Sequence, residues 1–396
     1  YIAKENTVTP SITFTSILGN HTLLGGVQGY FTRLRETGLY VISAEDEKTS
    51  PYYGVPYTSI GKKHANEVGF FVQDEWNVTP KLTVVPGIRV DSHSSGEEYA
   101  TSVKVSDSAF PTTKFSKTTV NPRIAIKYEL TPSLVLRANV GTGFRAPYGF
   151  SEDLHLCSGS PRVWKSSNLK GERAISYNLS ADYYAKKYQF SINIFRTNLK
   201  DKIQFSPADD EVKKFGYSYQ WENVDDAYVQ GVELGAKANL FRNFNAGINW
   251  TFNQGKFKHE RADWSDPNDE TVKEFPQRLQ YAKDSRNISR FPAMTGDIDL
   301  DYTPGTWTFS LTSSLQGRMF IDYNSEDNGA TSKIKKTNTF MIFNCRAAKR
   351  FGTCTVYAGA KNIFSYIQDE KHTDDAAFMY APVYGATWYV GLSVKL

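Results

Sequence analysis

RAISYNLSADYYAKKYQFSINIF, residues Arg173 to Phe195, decides how the whole chain is read. Apolar residues stand at every second position: Ile175, Tyr177, Leu179, Ala181 and Tyr183, with Ser176, Asn178, Ser180 and Asp182 between them. After Ala185-Lys186-Lys187 the alternation resumes, with Tyr188, Phe190, Ile192 and Ile194 set against Gln189, Ser191 and Asn193. Successive side chains of a strand point to opposite faces. Period two with one apolar face therefore predicts two half-buried strands joined by a short turn.

The same pattern recurs along the chain. In FNAGINWTFNQG, Phe244, Ala246, Ile248, Trp250 and Phe252 alternate with Asn245, Gly247, Asn249, Thr251 and Asn253. In GDIDLDY, Ile298, Leu300 and Tyr302 alternate with Asp297, Asp299 and Asp301. No stretch of comparable length has helical spacing. About fifteen strands pass this test. Seven connections are short: Gly19-Asn20, Thr79-Pro80-Lys81, Thr131-Pro132-Ser133, Ala185-Lys186-Lys187, Phe241-Arg242-Asn243, Pro304-Gly305-Thr306 and Phe351-Gly352-Thr353. The others are long and polar: Leu39–Ala65, Ser95–Thr118, Tyr148–Gly171, Ser206–Gly216, His259–Arg290, Tyr323–Lys336 and Tyr366–Gly385. Strict alternation of short and long connections is the pattern of an all-β, transmembrane antiparallel β-barrel of the outer membrane, with short periplasmic turns and long extracellular loops.

A large soluble β-sandwich or propeller also alternates, with its apolar faces turned inward. Three features favour the membrane. The strands run to roughly ten residues, enough to cross a bilayer when tilted. The polar faces carry small uncharged residues and carboxylates, as a wet lumen does. Aromatic residues gather near the ends of the apolar faces, as interfacial girdles do.

The bulk numbers agree. The 396 residues carry a net charge of +4, too mild a bias for a nucleic-acid partner. Mean hydropathy is −0.47, and no apolar run reaches the ~18 residues of a membrane helix. Aromatic residues make up 14%, with 24 Tyr and 25 Phe. The 3 cysteines lie far apart and form no disulfide framework. Cys345 and Cys354 flank one turn, but a hairpin there sets Cys345 near Ala358, so no bond is expected between them. No linker or composition shift divides residues 1–396.

ATWYVGLSVKL places Trp388, Val390, Leu392, Val394 and Leu396 on one face. It resembles the terminal strand that bacterial barrels present to their assembly machinery, although Leu396 stands where an aromatic residue is usual. If the last strand runs down to the periplasm, an odd count starts the first one outside, and a closed bacterial barrel has an even number. The expectation is therefore the C-terminal part of a larger barrel, lacking its first strands, with Tyr1 opening a processed form or a piece.

The strand LVLRANVGTGFRAP rises from the turn at Thr131-Pro132-Ser133 and ends in Gly143-Phe144-Arg145-Ala146-Pro147. After an irregular interval comes Ser166-Ser167-Asn168-Leu169-Lys170-Gly171-Glu172. These segments resemble a box of the TonB-dependent outer-membrane receptors, Gly-Phe/Tyr-Arg-Ala-Pro and then Asn-Pro-Asn/Asp-Leu-Lys-Pro-Glu. The first half matches in full. The second keeps Asn168, Leu169, Lys170 and Glu172 and lacks both prolines. GFFVQDEWNVTPKLTVVPGIRVD (Gly69–Asp91), WENVDDAYVQGVELGAKANL (Trp221–Leu240) and AGAKNIFSY (Ala358–Tyr366) resemble further family strands in order. Glu152 to His155 resembles receptors of the Bacteroidetes.

The resemblance implies a barrel of about 22 strands filled by an N-terminal plug domain, neither the plug nor its TonB-contacting box being part of this sequence. It implies uptake of a scarce metal chelate, namely cobalamin, haem or a ferric siderophore, driven by the inner-membrane TonB complex through the plug. The remaining partners are the lipid bilayer, lipopolysaccharide and a surface lipoprotein lid, with no nucleic acid. The other readings are a passive porin-like channel and a barrel adhesin or enzyme without transport. No nucleophile elbow, catalytic Ser/His/Asp order or phosphate loop is present, so no enzyme is expected.

Single residues carry two readings each. Arg145 and Glu172 form an ion pair at the barrel mouth, or Arg145 orients an anionic ligand. His155 is a solvent-facing loop residue, or the haem ligand that the family's haem receptors carry in this interval. Tyr148, Phe150, Trp164, Trp221, Trp264 and Tyr380 are girdle residues or stack on a planar ligand. Arg162 lies in the same interval and is grouped with them, and Cys157 is a loop cysteine. The acidic clusters Glu45-Asp46-Glu47, Asp209-Asp210-Glu211, Asp266 to Glu270 and Asp374-Asp375 are solvated charge, or hold calcium as the family's cobalamin receptors do. The scattered histidines and the absence of Cys-x-x-Cys leave no firm metal site.

Overall fold

The computed structural model describes residues 2–41, 54–101, 113–147, 163–165, 168–207, 219–259, 286–321, 335–368 and 380–395. Among these residues all regular structure is strand. The strands are β1 (Ile2–Val8), β2 (Ser11–Leu18), β3 (His21–Tyr40), β4 (Tyr57–Thr79), β5 (Leu82–Thr101), β6 (Thr113–Thr131), β7 (Leu134–Arg145), β8 (Val163–Lys165), β9 (Glu172–Tyr184) and β10 (Tyr188–Pro207). They continue with β11 (Tyr219–Phe241), β12 (Phe244–Phe257), β13 (Met294–Tyr302), β14 (Trp307–Gln316), β15 (Phe320–Ile321), β16 (Lys335–Lys336), β17 (Phe340–Phe351), β18 (Cys354–Lys361) and β19 (Thr387–Val394). β8, β15 and β16 are two or three residues long. β1 and β2 are one strand broken at Pro10, which has no amide hydrogen for the ladder. The Pro10 carbonyl accepts from Gly29 instead, at 2.8 Å.

All seven expected short connections are present. In two of them the turn geometry follows from a local residue: Gly352 has φ +61°, open to glycine, and Asn243 has φ +66°, which asparagine tolerates. Two of the long connections are shorter than expected. β3 and β4 pair without interruption from His21↔Trp76 to Tyr40↔Tyr57, so both ends of Leu39–Ala65, residues 39–40 and 57–65, are strand. Likewise β5 runs on to Thr101 and β6 starts at Thr113. Beyond an apolar belt both faces of a strand are polar, so the period-two signal fades while the backbone ladder persists.

Contacts divide the chain into two units. One comprises Tyr1–Ile126, Asn139–Tyr177 and Thr197–Ala227; the other comprises Lys127–Ala138, Asn178–Arg196 and Tyr228–Leu396. β6, β7, β9, β10 and β11 contribute residues to both. In the first unit, β1 and β2 pair with β3, β3 with β4 and β4 with β5, all antiparallel.

In the second unit, β12, β13, β14, β17, β18 and β19 pair antiparallel in that order. The registers build pure rungs. Phe244, Tyr302, Phe309, Ala347, Ala358 and Val390 form one apolar rung. Asn245, Asp301, Ser310, Arg346, Gly359 and Tyr389 form a polar one on the other face. The apolar face is bare: Val390 is 79% exposed and Trp388 76%. So large an unpartnered apolar face suits lipid and not water. Aromatic rings band together beside the short turns. Phe241 and Phe244 stack at 4.7 Å, Tyr302 and Phe309 at 6.4 Å, and Trp307 and Phe309 at 5.6 Å. Cys345 pairs with Ala360 rather than sitting near Ala358, because the two-residue turn shifts the register; both Cys345 and Cys354 are free.

Candidate functional site

The first unit gathers the box residues at the end of β7. Ala146 and Pro147 are buried, and Pro147 stops the strand. The Arg145 Nη1 lies 3.6 Å from Glu172 Oε2, across the interval that separates the two halves of the box. Glu172 is nearly buried, and its Oε1 accepts the Ile203 amide hydrogen at 2.5 Å. One carboxylate thus ties β9 to β10 and holds the arginine, whose own side chain is 40% exposed. A guanidinium has five N–H donors in a planar fork that suits carboxylate and phosphate oxygens.

Asn223 on β11 completes the base of the site. Its Oδ1 accepts from the Lys170 amide at 2.8 Å, and its Nδ2 donates to the Lys170 carbonyl at 3.0 Å and to the Asp201 carbonyl at 2.8 Å. One side chain therefore satisfies both main-chain groups of Lys170, as a neighbouring strand would. Leu169 is buried beside it. Gly171 stands where the family box has proline, and the reason is local. A Cβ at Gly171 would run into the Phe144 ring and the Arg145 carbonyl.

Phe144 links the box to a polar network on β3 to β6. Its ring lies 4.9 Å from the His93 ring and 6.0 Å from Phe115, and the Lys117 ammonium sits 5.4 Å from its centre. His93 is buried, with Nδ1 3.3 Å from Glu67 Oε2 and Nε2 3.1 Å from Thr119 Oγ1. Arg89 donates to Asp91 at 2.5 Å, to Glu67 at 3.2 Å and to Gln28 at 2.7 Å. Asn121 donates to the other Asp91 oxygen at 3.1 Å. Gly69 makes room, since a Cβ there would meet the Arg89–Asp91 pair. Farther along, Lys63 and Glu36 form a fully buried ion pair at 3.3 Å, and buried Glu97 faces Lys63 across the β4–β5 ladder.

The expected residues fall as follows. Gly143, Phe144, Arg145, Ala146, Pro147, Asn168, Leu169 and Glu172 lie together in the first unit. Trp164 lies in β8, whose three residues pair in parallel with Tyr219–Trp221 on β11, and Trp221 faces Lys165 in that register. Tyr380 belongs to the second unit, where it is buried against Met319 and Phe340. Tyr148, Phe150, His155, Cys157, Arg162, Trp264 and the four acidic clusters lie outside the described residues.

Asn223, Phe115, Lys117 and the Arg89–Asp91–His93 series carry no site assignment from sequence. For Arg89, Asp91 and His93 the signal was available as polar residues at period two on one face of β5. Asn362, in the Ala358–Tyr366 segment, has a matching structural role in the second unit. Its Nδ2 donates to the Tyr366 carbonyl at 2.7 Å and to the Tyr384 carbonyl at 3.1 Å, and its Oδ1 accepts from the Tyr366 amide at 2.9 Å.

Residues 2–363 match the family model described as TonB dependent receptor-like, beta-barrel. A vitamin B12 transporter, BtuB, of Photobacterium profundum is 33% identical over 116 residues, 29% of this chain and 17% of that protein. The ferric enterobactin receptor PirA of Pseudomonas aeruginosa is 21% identical over 357 residues, 84% of this chain and 42% of that protein. The chain thus spans less than half the length of these curated relatives. Among solved structures, the copper transporter OprC shares the fold with a TM-score of 0.69 at 17% identity, over 98% of this chain and 56% of that one.

Proposed function

The chain belongs to the TonB-dependent receptor β-barrel family of the outer membrane, and on that premise we propose that it serves TonB-driven uptake of a scarce metal chelate. The substrate class is cobalamin, haem or a ferric siderophore. In this reading the short turns and the end of β19 face the periplasm, and the long connections face outward. The end of β7 then lies at the mouth, where an incoming solute is first met. The inner-membrane TonB complex supplies the force, acting through a plug domain, and no covalent chemistry is required of this chain.

The observation that carries the reading is the assembled box. Arg145 meets Glu172 at 3.6 Å with its side chain 40% exposed, and Asn223 clamps the main chain of Lys170 in the second half of the box. Metal chelates of these classes bear carboxylate, phosphate or catecholate oxygens, which a guanidinium recognises by paired hydrogen bonds. An aromatic neighbour, Phe144, stiffens the same segment through its contacts with His93 and Phe115.

The test is accumulation of cyanocobalamin, haemin and a ferric catecholate, each offered separately to cells with and without TonB. One chelate is expected to accumulate only when TonB is present, and to co-elute with the purified protein. Equal accumulation without TonB would overturn the reading in favour of a passive channel.

A further inference from the structure

The apolar face of the second unit is not evenly covered. On β17 and β18 two successive rungs carry only small residues, with Cys345 opposite Ala360 and Ala347 opposite Ala358. The strands on either side carry large ones: Leu300, Tyr302, Phe309 and Leu311 on β13 and β14, and Trp388 and Val390 on β19. The result is a groove of about 520 Å³, with Cys345, Ala347 and Ala358 in its floor and Tyr302, Phe309 and Trp388 among its walls. On a face turned to lipid, carbon-lined space offers water no hydrogen-bond partners, so a hydrocarbon chain fills it and recovers the missing contacts.

One end of the groove carries a charge. Lys349 lies two residues beyond Ala347 on the same face, next to the short turn at Gly352-Thr353. Its ammonium stands 4.8 Å from the centre of the Trp307 ring and 5.0 Å from that of Phe351. Among the described residues it contacts these two rings. The aromatic pair holds a cation at the level where an apolar belt meets the aqueous interface, which is where a lipid places its phosphate. Groove and ammonium together match an amphiphile with a hydrocarbon tail and an anionic head.

We propose that this groove is a binding site for one acidic glycerophospholipid, its tail on Ala347 and Ala358 and its headgroup phosphate on Lys349. The choice of glycerophospholipid over lipid A rests on the reading above that places the short turns in the periplasm, and so at the phospholipid leaflet. The site is independent of chelate uptake.

The test is native mass spectrometry of the full-length protein in mild detergent, with phosphatidylglycerol, phosphatidylethanolamine and lipid A in equal amounts. One phosphatidylglycerol is expected to stay bound in preference to phosphatidylethanolamine. Lys349→Gln should lower that preference about fivefold, the ~1 kcal/mol that one lysine contributes at an anionic lipid surface. Ala358→Leu and, separately, Ala347→Leu should displace the lipid by filling the floor. Lys349→Gln leaves the groove intact, so it remains informative should a filled variant fail to fold. Unchanged preference in Lys349→Gln, or unchanged retention in a filled variant, overturns the proposal. Retention of lipid A in place of phosphatidylglycerol overturns the leaflet assignment, whereas retention of neither lipid overturns the site itself.

Discussion

Arg145 and Glu172 stand 27 positions apart in sequence and 3.6 Å apart in space, and the carboxylate that meets the guanidinium also accepts the Ile203 amide hydrogen. The two roles of Glu172 separate by substitution. Glu172→Gln keeps an acceptor for Ile203 and loses the charge facing Arg145. Glu172→Ala strands a buried amide, at a cost of about 1–3 kcal/mol. Urea unfolding should show a clear fall in midpoint for the alanine variant and a small one for glutamine.

Asn223→Ala removes three hydrogen bonds, two of them from the main chain of Lys170. The expected loss is about 1–3 kcal/mol, felt locally. Limited trypsin digestion checks it: cleavage after Lys170 should become faster in Asn223→Ala, while cleavage at sites in the other unit stays at the original rate.

Gly171→Ala forces a methyl group against the Phe144 ring and the Arg145 carbonyl. Overpacking of this kind costs about 1–3 kcal/mol. Phe144→Ala should relieve most of the ring clash, so the double variant should be less destabilised than the two single changes summed. A double-mutant cycle measured by urea unfolding gives the coupling, and strict additivity would mean that ring and glycine do not meet.

Lys63→Met leaves Glu36 and Glu97 buried around an apolar side chain. Breaking a buried pair by removing one partner costs about 3–5 kcal/mol. Lys63→Met combined with Glu36→Leu and Glu97→Gln should recover most of that loss. Thermal unfolding of the three-residue variant against Lys63→Met alone is the measurement.

Chelate recognition predicts a division between neighbours. Arg145→Ala should weaken retention of the transported chelate about tenfold or more, as loss of a charge-assisted contact does, while Arg145→Lys restores it in part. Affinity measured by absorbance titration distinguishes the two.

Much of the architecture was legible as period two. Ile175 to Tyr183 and Tyr188 to Ile194 read as strands on sight, since a face turned to lipid tolerates few polar residues. Counting β1 and β2 as one and omitting β8, β15 and β16, the nineteen described strands reduce to the expected fifteen. The lengths of β3 to β6 were not legible, because a strand with two wet faces has no hydrophobic rhythm.

What the sequence determined alone is the fold class, the turns and the box itself, because these are written in local composition and spacing. Tertiary structure decided the partners: that Asn223 clamps Lys170, that Phe144 leans on His93, and that a floor of alanines on β17 and β18 lies between aromatic walls. Each depends on the register between strands distant in sequence, and register is settled only when whole faces pair.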